Sequence, residues 1–229
     1  LESRPVDSID QMRFSELKDS RDRLVGEYEQ RIQQLTATGH AVRVVQWNQM
    51  MDPAPQRRQA IRIQVETHLK PLQPTVVTLQ ETTDEKDGSY HSAAEVARLL
   101  GYELVGAQGK DRQTFHQGIA ILHHPDWERT ATFQTSLPNN RVALGVQLTS
   151  RKTGQAVYVF TMHLSARSRE DHMRREELAA LHAYIEGVVS PGSTVILTGD
   201  LNPAYESEPA QFERVAESEW SRAVRHDLP

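Results

Sequence analysis

The chain has 229 residues, of which 38% are hydrophobic and 25% are charged, and these values are typical of a single domain with one sizeable core. Its formal net charge of −5 excludes a protein that binds nucleic acid through a bulk positive field, so any polyanion must meet a local basic patch. The absence of cysteine excludes disulfides and thiolate zinc sites, and no apolar run approaches the roughly 20 residues that a membrane-spanning helix needs.

Residues 1–40 are predicted to form an N-terminal extension. Within residues 11–37, apolar side chains recur every three or four positions in a charged background, which indicates an amphipathic helix that closes near Gly39. Such a helix usually packs on its own domain, and the alternative is that it docks a protein partner. The chain starts with Leu1 and shows no secretory pattern. We therefore expect that residues precede it, and we favour an intracellular location without a membrane partner.

From Ala41 to the end, residues 41–229, strand patterns alternate with helix patterns. The predicted helices cover residues 57–70, stopped by Pro71, residues 92–101, with Ser92 and Glu95 as a capping box, and residues 168–187, capped by Ser168 and Asp171. The predicted strands cover residues 42–46, 75–79, 102–107, 118–122, 129–134, 142–148, 157–162 and 194–198. Consecutive strands with helices outside them indicate an α/β fold of two packed sheets flanked by helices.

Four short polar signatures follow the apolar runs. They are Gln46-Trp47-Asn48, Gln80-Glu81, Met162-His163-Leu164 and Gly199-Asp200-Leu201-Asn202. A β-branched run that stops at an acid or amide delivers that side chain to the edge of a sheet, so we expect the four signatures to meet in one site. Two carboxylates, two amides and an imidazole, without any thiol, suit a hard cation and an oxygen-rich anion. This combination predicts magnesium and phosphate.

Each residue of the signatures has a chemical interpretation and a structural alternative. Asp200 could orient or deprotonate an attacking water, Asn202 could hold that water or a phosphoryl oxygen, and His163 could donate to a phosphate oxygen. Glu81 could bind the cation directly, with Asn48 completing the site. Taken singly, these residues are equally well explained as turn formers, a solvated loop acid and a core histidine. Their occurrence in one ordered set favours a functional site.

Further basic and polar side chains lie near these signatures in the sequence. They are Arg167, Arg169, Arg174 and Arg175 after the histidine motif, and Asn140 and Arg141 at the start of a predicted strand. Guanidinium groups bind phosphate through paired N–H donors, so this set forms a plausible local patch for a phosphate backbone. We predict that Asn140 and Arg141 bind substrate. The alternative for Arg174 and Arg175 is the solvated face of a helix.

The ordered motifs resemble those of the endonuclease/exonuclease/phosphatase superfamily, the metal-dependent phosphodiesterases that include pancreatic deoxyribonuclease. The resemblance covers about residues 42–220, and within it the segments 43–48 and 163–167 are most similar to nocturnin-type deadenylases. It implies a four-layered α/β sandwich with the active site at one end of the two sheets. It also implies these roles: Glu81 as the principal magnesium ligand with Asn48 beside it, Asp200 positioning the water, Asn202 and His163 holding the scissile phosphate, and Arg167 binding substrate.

Three departures from the superfamily pattern are visible. Ser165 stands where nocturnin-type relatives have a lysine, and Gln117 stands where they have an acid. The Ser-Asp-His signature that closes the superfamily pattern does not follow Asn202, and His226-Asp227 has the reverse order. We therefore expect that the sequence stops before the C-terminal strands of such a sandwich.

The resemblance implies a phosphodiester hydrolase that uses Mg²⁺, with Mn²⁺ as the alternative ion. We expect a 3′-to-5′ exoribonuclease of the deadenylase type that acts on the 3′ end of RNA. One alternative is a phosphatase on a small nucleotide, such as a dinucleotide 2′-phosphate, or on an inositol phosphate. The other is a catalytically inactive relative that uses the sandwich as a binding scaffold.

Overall fold

The structure is a computed structural model that describes residues 30, 34, 37–38, 41–49, 55–88, 90–111, 115–166 and 171–202. Of the helix predicted over residues 11–37, only Gln30, Gln34 and Ala37 are described, and the division of the chain at residue 40 therefore stays a prediction. Arg167, the predicted cap Ser168 and residues 226–227 lie outside the described residues.

The strands of the described residues form two four-stranded sheets. The first sheet has the order β1-β2-β4-β3, the second has the order β5-β6-β7-β8, and most neighbouring pairs are antiparallel. In each sheet one pair is parallel, β1 with β2 and β7 with β8. The bounds are β1 (Val44–Asn48), β2 (Val76–Glu85), β3 (Glu103–Asp111), β4 (Phe115–His123), β5 (Trp127–Leu137), β6 (Arg141–Ser150), β7 (Ala156–His163) and β8 (Val195–Asp200).

Helices cover the outer faces of both sheets. They are α1 (Pro55–Gln64), a π-helical turn (Val65–Leu69), α2 (Lys70–Leu72), α3 (Ser92–Leu100) and α4 (Asp171–Val188). The prediction that Pro71 stops the first helix is wrong, since the helix continues through α2 to a left-handed Gln73. Pro71 lies in the first turn of α2, where its missing N–H costs little. None of these described helices combines the length and hydrophobicity that a bilayer crossing requires.

The N-terminus of α3 differs from the predicted capping box of Ser92 with Glu95. His91 is the N-cap residue, and its side chain accepts a hydrogen bond from a backbone N–H of the first turn. The hydroxyl of Ser92 instead donates to Gln49 at 2.6 Å and accepts from the backbone of Thr83 at 2.9 Å. Ser92 therefore ties α3 to the ends of β1 and β2, close to the candidate site.

The core consists of three apolar clusters, one between each pair of neighbouring layers. Residues such as Val76, Ile121 and Val159 fill the space between the two sheets. Ile61 of α1, with Val65 and Leu69 of the π-helical turn, packs against the outer face of the first sheet. Leu181 of α4 packs against the outer face of the second sheet. The layer order is therefore helix, sheet, sheet, helix, which confirms the predicted four-layered α/β sandwich.

Candidate active site

In the parallel pairs β1-β2 and β7-β8, the strand faces that lie between the two sheets change from apolar to polar along the chain. Alternate residues of four strands form series that show this change. They are Val44, Gln46 and Asn48 of β1, Val76, Thr78 and Gln80 of β2, Val159, Thr161 and His163 of β7, and Ile196, Thr198 and Asp200 of β8. The first member of each series packs in the core between the sheets. Because the paired strands of each sheet run in parallel, their polar ends reach the same edge of the sandwich.

The middle members of these series, together with Gln80, form a polar layer beneath that edge. Gln80 donates from Nε2 to Thr161 Oγ1 at 2.9 Å, and the hydroxyls of Thr78 and Thr198 lie 2.8 Å apart. Gln46 donates to the side-chain oxygen of Gln80 within the first sheet. Both Thr78–Thr198 and Gln80–Thr161 join one sheet to the other. We refer to Gln46, Thr78, Gln80, Thr161 and Thr198 as the polar layer.

Glu81 lies at a β-bulge inside β2, and not at the end of a strand as the sequence predicted. Gln80 pairs with Ile119 and Thr82 pairs with Gly118, so Glu81 is an extra residue in the ladder. Strict alternation would direct its side chain to the helix-facing side with Leu79, because successive strand residues point to opposite faces. The left-handed backbone of Glu81, with φ 53°, breaks this alternation and brings the carboxylate to the site.

The predicted site residues meet at this edge. Asn48 donates from Nδ2 to Asp200 Oδ2 at 2.7 Å and lies 3.3 Å from Glu81 Oε1. His163, which is 7% exposed, places Nε2 at 3.6 Å from Glu81 Oε1 and 4.0 Å from Asp200 Oδ2. Glu81 and Asn48 come from the first sheet, and His163 and Asp200 come from the second. The structure therefore brings the two sheets' polar ends together around one point.

This arrangement fits a divalent cation. Glu81, His163 and Asp200 each offer one ligand atom, and these atoms all lie within 4.8 Å of one another. Carboxylate oxygens are the ligands that Mg²⁺ prefers, whereas an imidazole nitrogen is also acceptable to transition metals. A half-turn of the Asn48 amide would exchange its nitrogen for its oxygen and would add a further neutral oxygen ligand. The donor set thus suits a hard or borderline divalent ion.

The segment 199–202 is locked against the residues that follow β7. A Cβ atom on Gly199, with φ 136°, would lie 2.2 Å from the carbonyl oxygen of Met162, so this position requires glycine. The backbone N–H of Asn202 donates to Asp200 Oδ1 at 2.9 Å, and its side-chain Nδ2 donates to the carbonyl oxygen of Leu164 at 2.9 Å. These bonds hold one carboxylate oxygen of Asp200, while its Oδ2 faces Asn48 and His163.

Two of the predicted substrate-binding residues lie beside this cluster. Asn140 and Arg141 line a small crevice together with Gln117 and His163. Asn140 is an exposed turn residue with φ 57°, and Arg141 begins β6 half-buried. The third predicted residue, Arg167, lies outside the described residues. Gln117, one of the departures from the superfamily pattern, therefore lines the candidate site.

A buried network around Glu177 of α4 was not predicted. Glu177 is fully buried and accepts hydrogen bonds from the backbone and hydroxyl of Ser165 and from Asn139. Arg174, which is 6% exposed, donates to the carbonyl oxygen of Ser165 at 2.9 Å. The alternative interpretation, that both arginines lie on a solvated helix face, is therefore wrong for Arg174, whereas Arg175 is exposed. Helical periodicity could have predicted that both side chains are buried, since residues 174 and 177 lie on the same helix face as the apolar residues 178, 181 and 185.

A larger cleft, of about 420 Å³, lies at the opposite ends of the strands and contains none of the predicted site residues. Its polar groups bond one another: Lys152 donates to Asp126 at 2.5 Å, and the Tyr102 hydroxyl donates to the carbonyl oxygen of Pro74. Burial raises the pKa of Tyr102 to about 12. Its described lining offers one carboxylate, Asp126, beside the His124 imidazole, and Lys152 already bonds that carboxylate. The two convergent carboxylates of Glu81 and Asp200 therefore indicate the smaller site.

No known family profile and no curated protein sequence matches the chain. Among solved structures, it is similar to the human nocturnin catalytic domain with bound sulfate, at TM-score 0.61 and 19% identity, over 78% of this chain and 69% of that chain. It is also similar to an endonuclease/exonuclease/phosphatase family protein from Leptotrichia buccalis, at TM-score 0.64 and 15% identity, over 77% and 72% of the two chains. For TDP2 from C. elegans the TM-score is 0.57 and the identity 18%, over 71% of this chain.

The chain spans only 48% of the length of that TDP2 chain, so it corresponds to part of some of the proteins it resembles. At these identities the similarity establishes the fold. The resemblance that the four motifs carry is therefore confirmed at that level: the chain has the four-layered fold of the endonuclease/exonuclease/phosphatase superfamily.

Proposed function

We propose that this chain, which has the fold of the endonuclease/exonuclease/phosphatase superfamily, is a magnesium-dependent phosphodiester hydrolase that removes nucleotides from the 3′ end of RNA. The observation that carries the proposal is the convergence of Glu81, His163 and Asp200, whose ligand atoms lie within 4.8 Å of one another although they come from two different sheets. Convergent acids and a histidine in a cleft are the groups that phosphoryl transfer requires.

Glu81 and Asn48 would hold the metal in this proposal. Glu81 supplies a carboxylate from a bulge whose strained backbone aims it at the site, and Asn48 supplies its amide oxygen. A bound divalent ion would neutralise phosphate charge and stabilise the additional negative charge of the transition state. Mn²⁺ is the alternative ion, because it accepts the same carboxylate and carbonyl oxygen ligands as Mg²⁺.

The remaining steps belong to side chains of the chain itself. Asp200 orients the attacking water and accepts its proton through Oδ2, which loses its Asn48 donor when the Asn48 amide turns its oxygen to the metal, whereas Oδ1 keeps the backbone N–H of Asn202. His163 donates from Nε2 to a non-bridging phosphate oxygen as charge builds there. Asn202 has a second N–H on the Nδ2 that bonds Leu164, and this N–H is directed to a phosphoryl oxygen in the proposal.

Substrate binding is assigned to Asn140, Arg141 and Arg167. Asn140 and Arg141 line the crevice beside His163, where they would meet the nucleotide next to the scissile phosphate. A second candidate function is phosphate removal from a small phosphorylated nucleotide. Two observations favour it: the net charge of −5 weakens binding to long polyanions, and Ser165 removes a cation that nocturnin-type relatives place beside the histidine.

A substrate panel separates these functions. The purified chain is incubated with 5′-labelled oligo(A), single-stranded DNA, a dinucleotide 2′-phosphate and an inositol phosphate, each with Mg²⁺, Mn²⁺, Ca²⁺ or EDTA. The proposal predicts a Mg²⁺-dependent ladder from oligo(A) that a blocked 3′ end abolishes. Phosphate release from the dinucleotide alone would establish the second candidate. Absence of metal-dependent cleavage of all four substrates would refute both and would favour a binding scaffold.

A further inference from the structure

Glu177 is a fully buried carboxylate that the proposed mechanism does not use. Its Oε2 accepts the backbone N–H of Ser165 at 2.9 Å. Its Oε1 accepts the Ser165 hydroxyl at 2.5 Å and Asn139 Nδ2 at 3.0 Å. Burying a charged group costs free energy, and replacing such a group with an apolar side chain is often neutral for stability. A gain in stability alone is therefore a weak explanation for an acid at this position.

The two partners of Glu177 lie on the two loops that frame the substrate crevice. Ser165 follows His163 by two residues and precedes Arg167 by two. Asn139 lies in the turn between β5 and β6, directly before Asn140. One carboxylate on α4 thus joins the loop after the histidine to the turn that carries the other substrate-binding residues.

The turn has an uncommon backbone, and the loop is held from α4 by more than one bond. Asn139 and Asn140 both adopt left-handed conformations, with φ 60° and φ 57°, a region that asparagine enters more readily than most residues but that two consecutive non-glycine residues rarely share. Arg174 adds a second bond from α4, from its Nη1 to the carbonyl oxygen of Ser165 at 2.9 Å. The backbone N–H, hydroxyl and carbonyl of Ser165 are therefore all engaged by two side chains of one helix.

We propose that Glu177 is a positioning residue that clamps the 138–140 turn to the 164–166 loop and thereby places Asn140 and Arg141 beside His163 for the nucleotide next to the scissile phosphate. This proposal rests on the proposed function. It predicts that Glu177 affects the affinity of the site for an extended nucleotide substrate. Metal binding and the action of the water-activating acid should not depend on Glu177. Glu177 touches neither substrate nor metal in this account.

The bonding pattern allows a test by exchange of donor and acceptor. Glu177→Gln keeps the shape but replaces one oxygen with an NH₂ group, which faces the NH₂ of Asn139 until the Asn139 amide makes a half-turn and presents its oxygen. This variant alone is therefore expected to weaken the clamp only slightly. Asn139→Asp places a second carboxylate against Glu177. In the double variant, the introduced NH₂ donates to the introduced carboxylate and to the Ser165 hydroxyl oxygen, while the amide oxygen still accepts the backbone N–H of Ser165. The clamp is thus restored with the direction of two bonds reversed. Aspartate also tolerates the left-handed backbone at this position.

The experiment measures KM for 3′ oligo(A), kcat for the small diester bis(4-nitrophenyl) phosphate and amide hydrogen exchange over residues 138–141 and 163–166. Asn139→Asp is expected to raise KM about tenfold, the loss of roughly one hydrogen bond, and Glu177→Gln is expected to raise it by less, with kcat for the small diester within about twofold of the wild type in both. Exchange in both loops should accelerate together. The double variant should recover most of both losses, a coupling that independent residues would not show.

Three results would overturn the proposal: an unchanged KM with unchanged exchange in the single variants, a double variant impaired by the sum of its parents, or a parallel fall of activity on both substrates. The exchange measurement needs no catalysis. If the wild type cleaves no phosphate ester, the proposed function fails, whereas coupled exchange of the two loops would still establish the clamp and uncoupled exchange would refute it.

Discussion

Gln80 on β2 donates a hydrogen bond of 2.9 Å to Thr161 on β7, and both side chains are fully buried beneath the candidate active site. Glu81 directly follows Gln80, and His163 follows Thr161 by two residues. The bond therefore fixes the spacing between the strand segments that carry the proposed metal ligand and the proposed phosphate donor. Under the proposed function, the polar layer would support catalysis as well as the packing of the two sheets.

Removing the hydroxyl of Thr161 tests this role. Thr161→Val keeps the side-chain volume but leaves the Gln80 amide without its acceptor, so we expect a loss of about 1–3 kcal/mol in the free energy of unfolding. We also expect weaker Mg²⁺ binding, because the two halves of the site lose their link. Thr161→Ser retains the hydroxyl and is the matched control. Chemical denaturation and metal titration of both variants give the measurement, and equal Mg²⁺ affinity in both would contradict the role.

The bulge at Glu81 depends on a glycine in the neighbouring strand. A Cβ atom on Gly118, which pairs with Thr82, would lie 2.8 Å from the carbonyl oxygen of Ala107 and 2.9 Å from Thr82 Oγ1. Gly118→Ala should therefore destabilise the fold by about 1–3 kcal/mol and weaken Mg²⁺ binding through displacement of the bulge.

Gly106 on β3 offers the matched control for Gly118. A Cβ atom there meets nothing nearer than the carbonyl oxygen of Ile119 at 4.0 Å. Gly106→Ala should therefore change stability by less than about 1 kcal/mol and leave metal binding unaltered. Thermal unfolding with and without Mg²⁺ compares the two variants, and an equal effect of both substitutions would show that the bulge does not set the metal site.

His163 has been assigned to the phosphate and not to the metal, although its Nε2 lies 3.6 Å from Glu81 Oε1. If the assignment is right, His163→Gln lowers kcat by on the order of a hundredfold, the usual loss for one transition-state donor, with little change in the Mg²⁺ dissociation constant. Steady-state kinetics and calorimetric titration give the two numbers. A metal affinity that falls as steeply as kcat would identify His163 as a ligand instead.

The buried ring of His123 makes stability depend on pH. Burial lowers the pKa of His123 below its ordinary value of 6.5, and the nearby Glu103 carboxylate offsets this only in part. Near pH 6.5 the unfolded chain therefore binds a proton at His123 that the folded chain does not bind. The free energy of unfolding consequently falls as pH falls through this value. Above it, the contribution of His123 to the pH dependence vanishes.

Urea denaturation at pH values on either side of 6.5 checks this effect. His123→Leu should lose less stability on acidification than the wild type, because the group that distinguishes the two states is gone. His182→Gln is the control, since His182 is an exposed residue of α4. The same loss in His123→Leu as in the wild type would assign the pH dependence to other groups.

Most of the fold could be predicted from the sequence because hydrophobic periodicity depends on burial, and burial is a local property of each strand and helix. The strands β1, β7 and β8 end at Asn48, His163 and Asp200, which is where the polar signatures indicated. Several predicted strands were shorter than the observed ones. In β5, the missed ends each carry one buried apolar residue, Trp127 or Leu137, which polar residues separate from the predicted segment 129–134.

The sequence correctly placed Glu81 beside Asn48, His163 and Asp200, but it wrongly placed Glu81 at the end of a strand. A bulge depends on the register of two strands, here the pairing of Gln80 and Thr82 with consecutive residues of β4. The sequence of one strand does not determine its register against another strand. The Glu177 network escaped prediction for a related reason. Its partners Ser165 and Asn139 lie 12 and 38 residues away, so only the tertiary structure brings them together.

The most direct test of the account is the rate of oligo(A) hydrolysis as a function of Mg²⁺ concentration in the wild type and in Glu81→Gln. The wild-type rate should rise and saturate with Mg²⁺, whereas the substitution should lower the maximal rate by at least about a hundredfold and shift the midpoint to higher Mg²⁺. A Glu81→Gln protein that cleaves at the wild-type rate with the same Mg²⁺ midpoint would contradict a metal-dependent centre built on this residue.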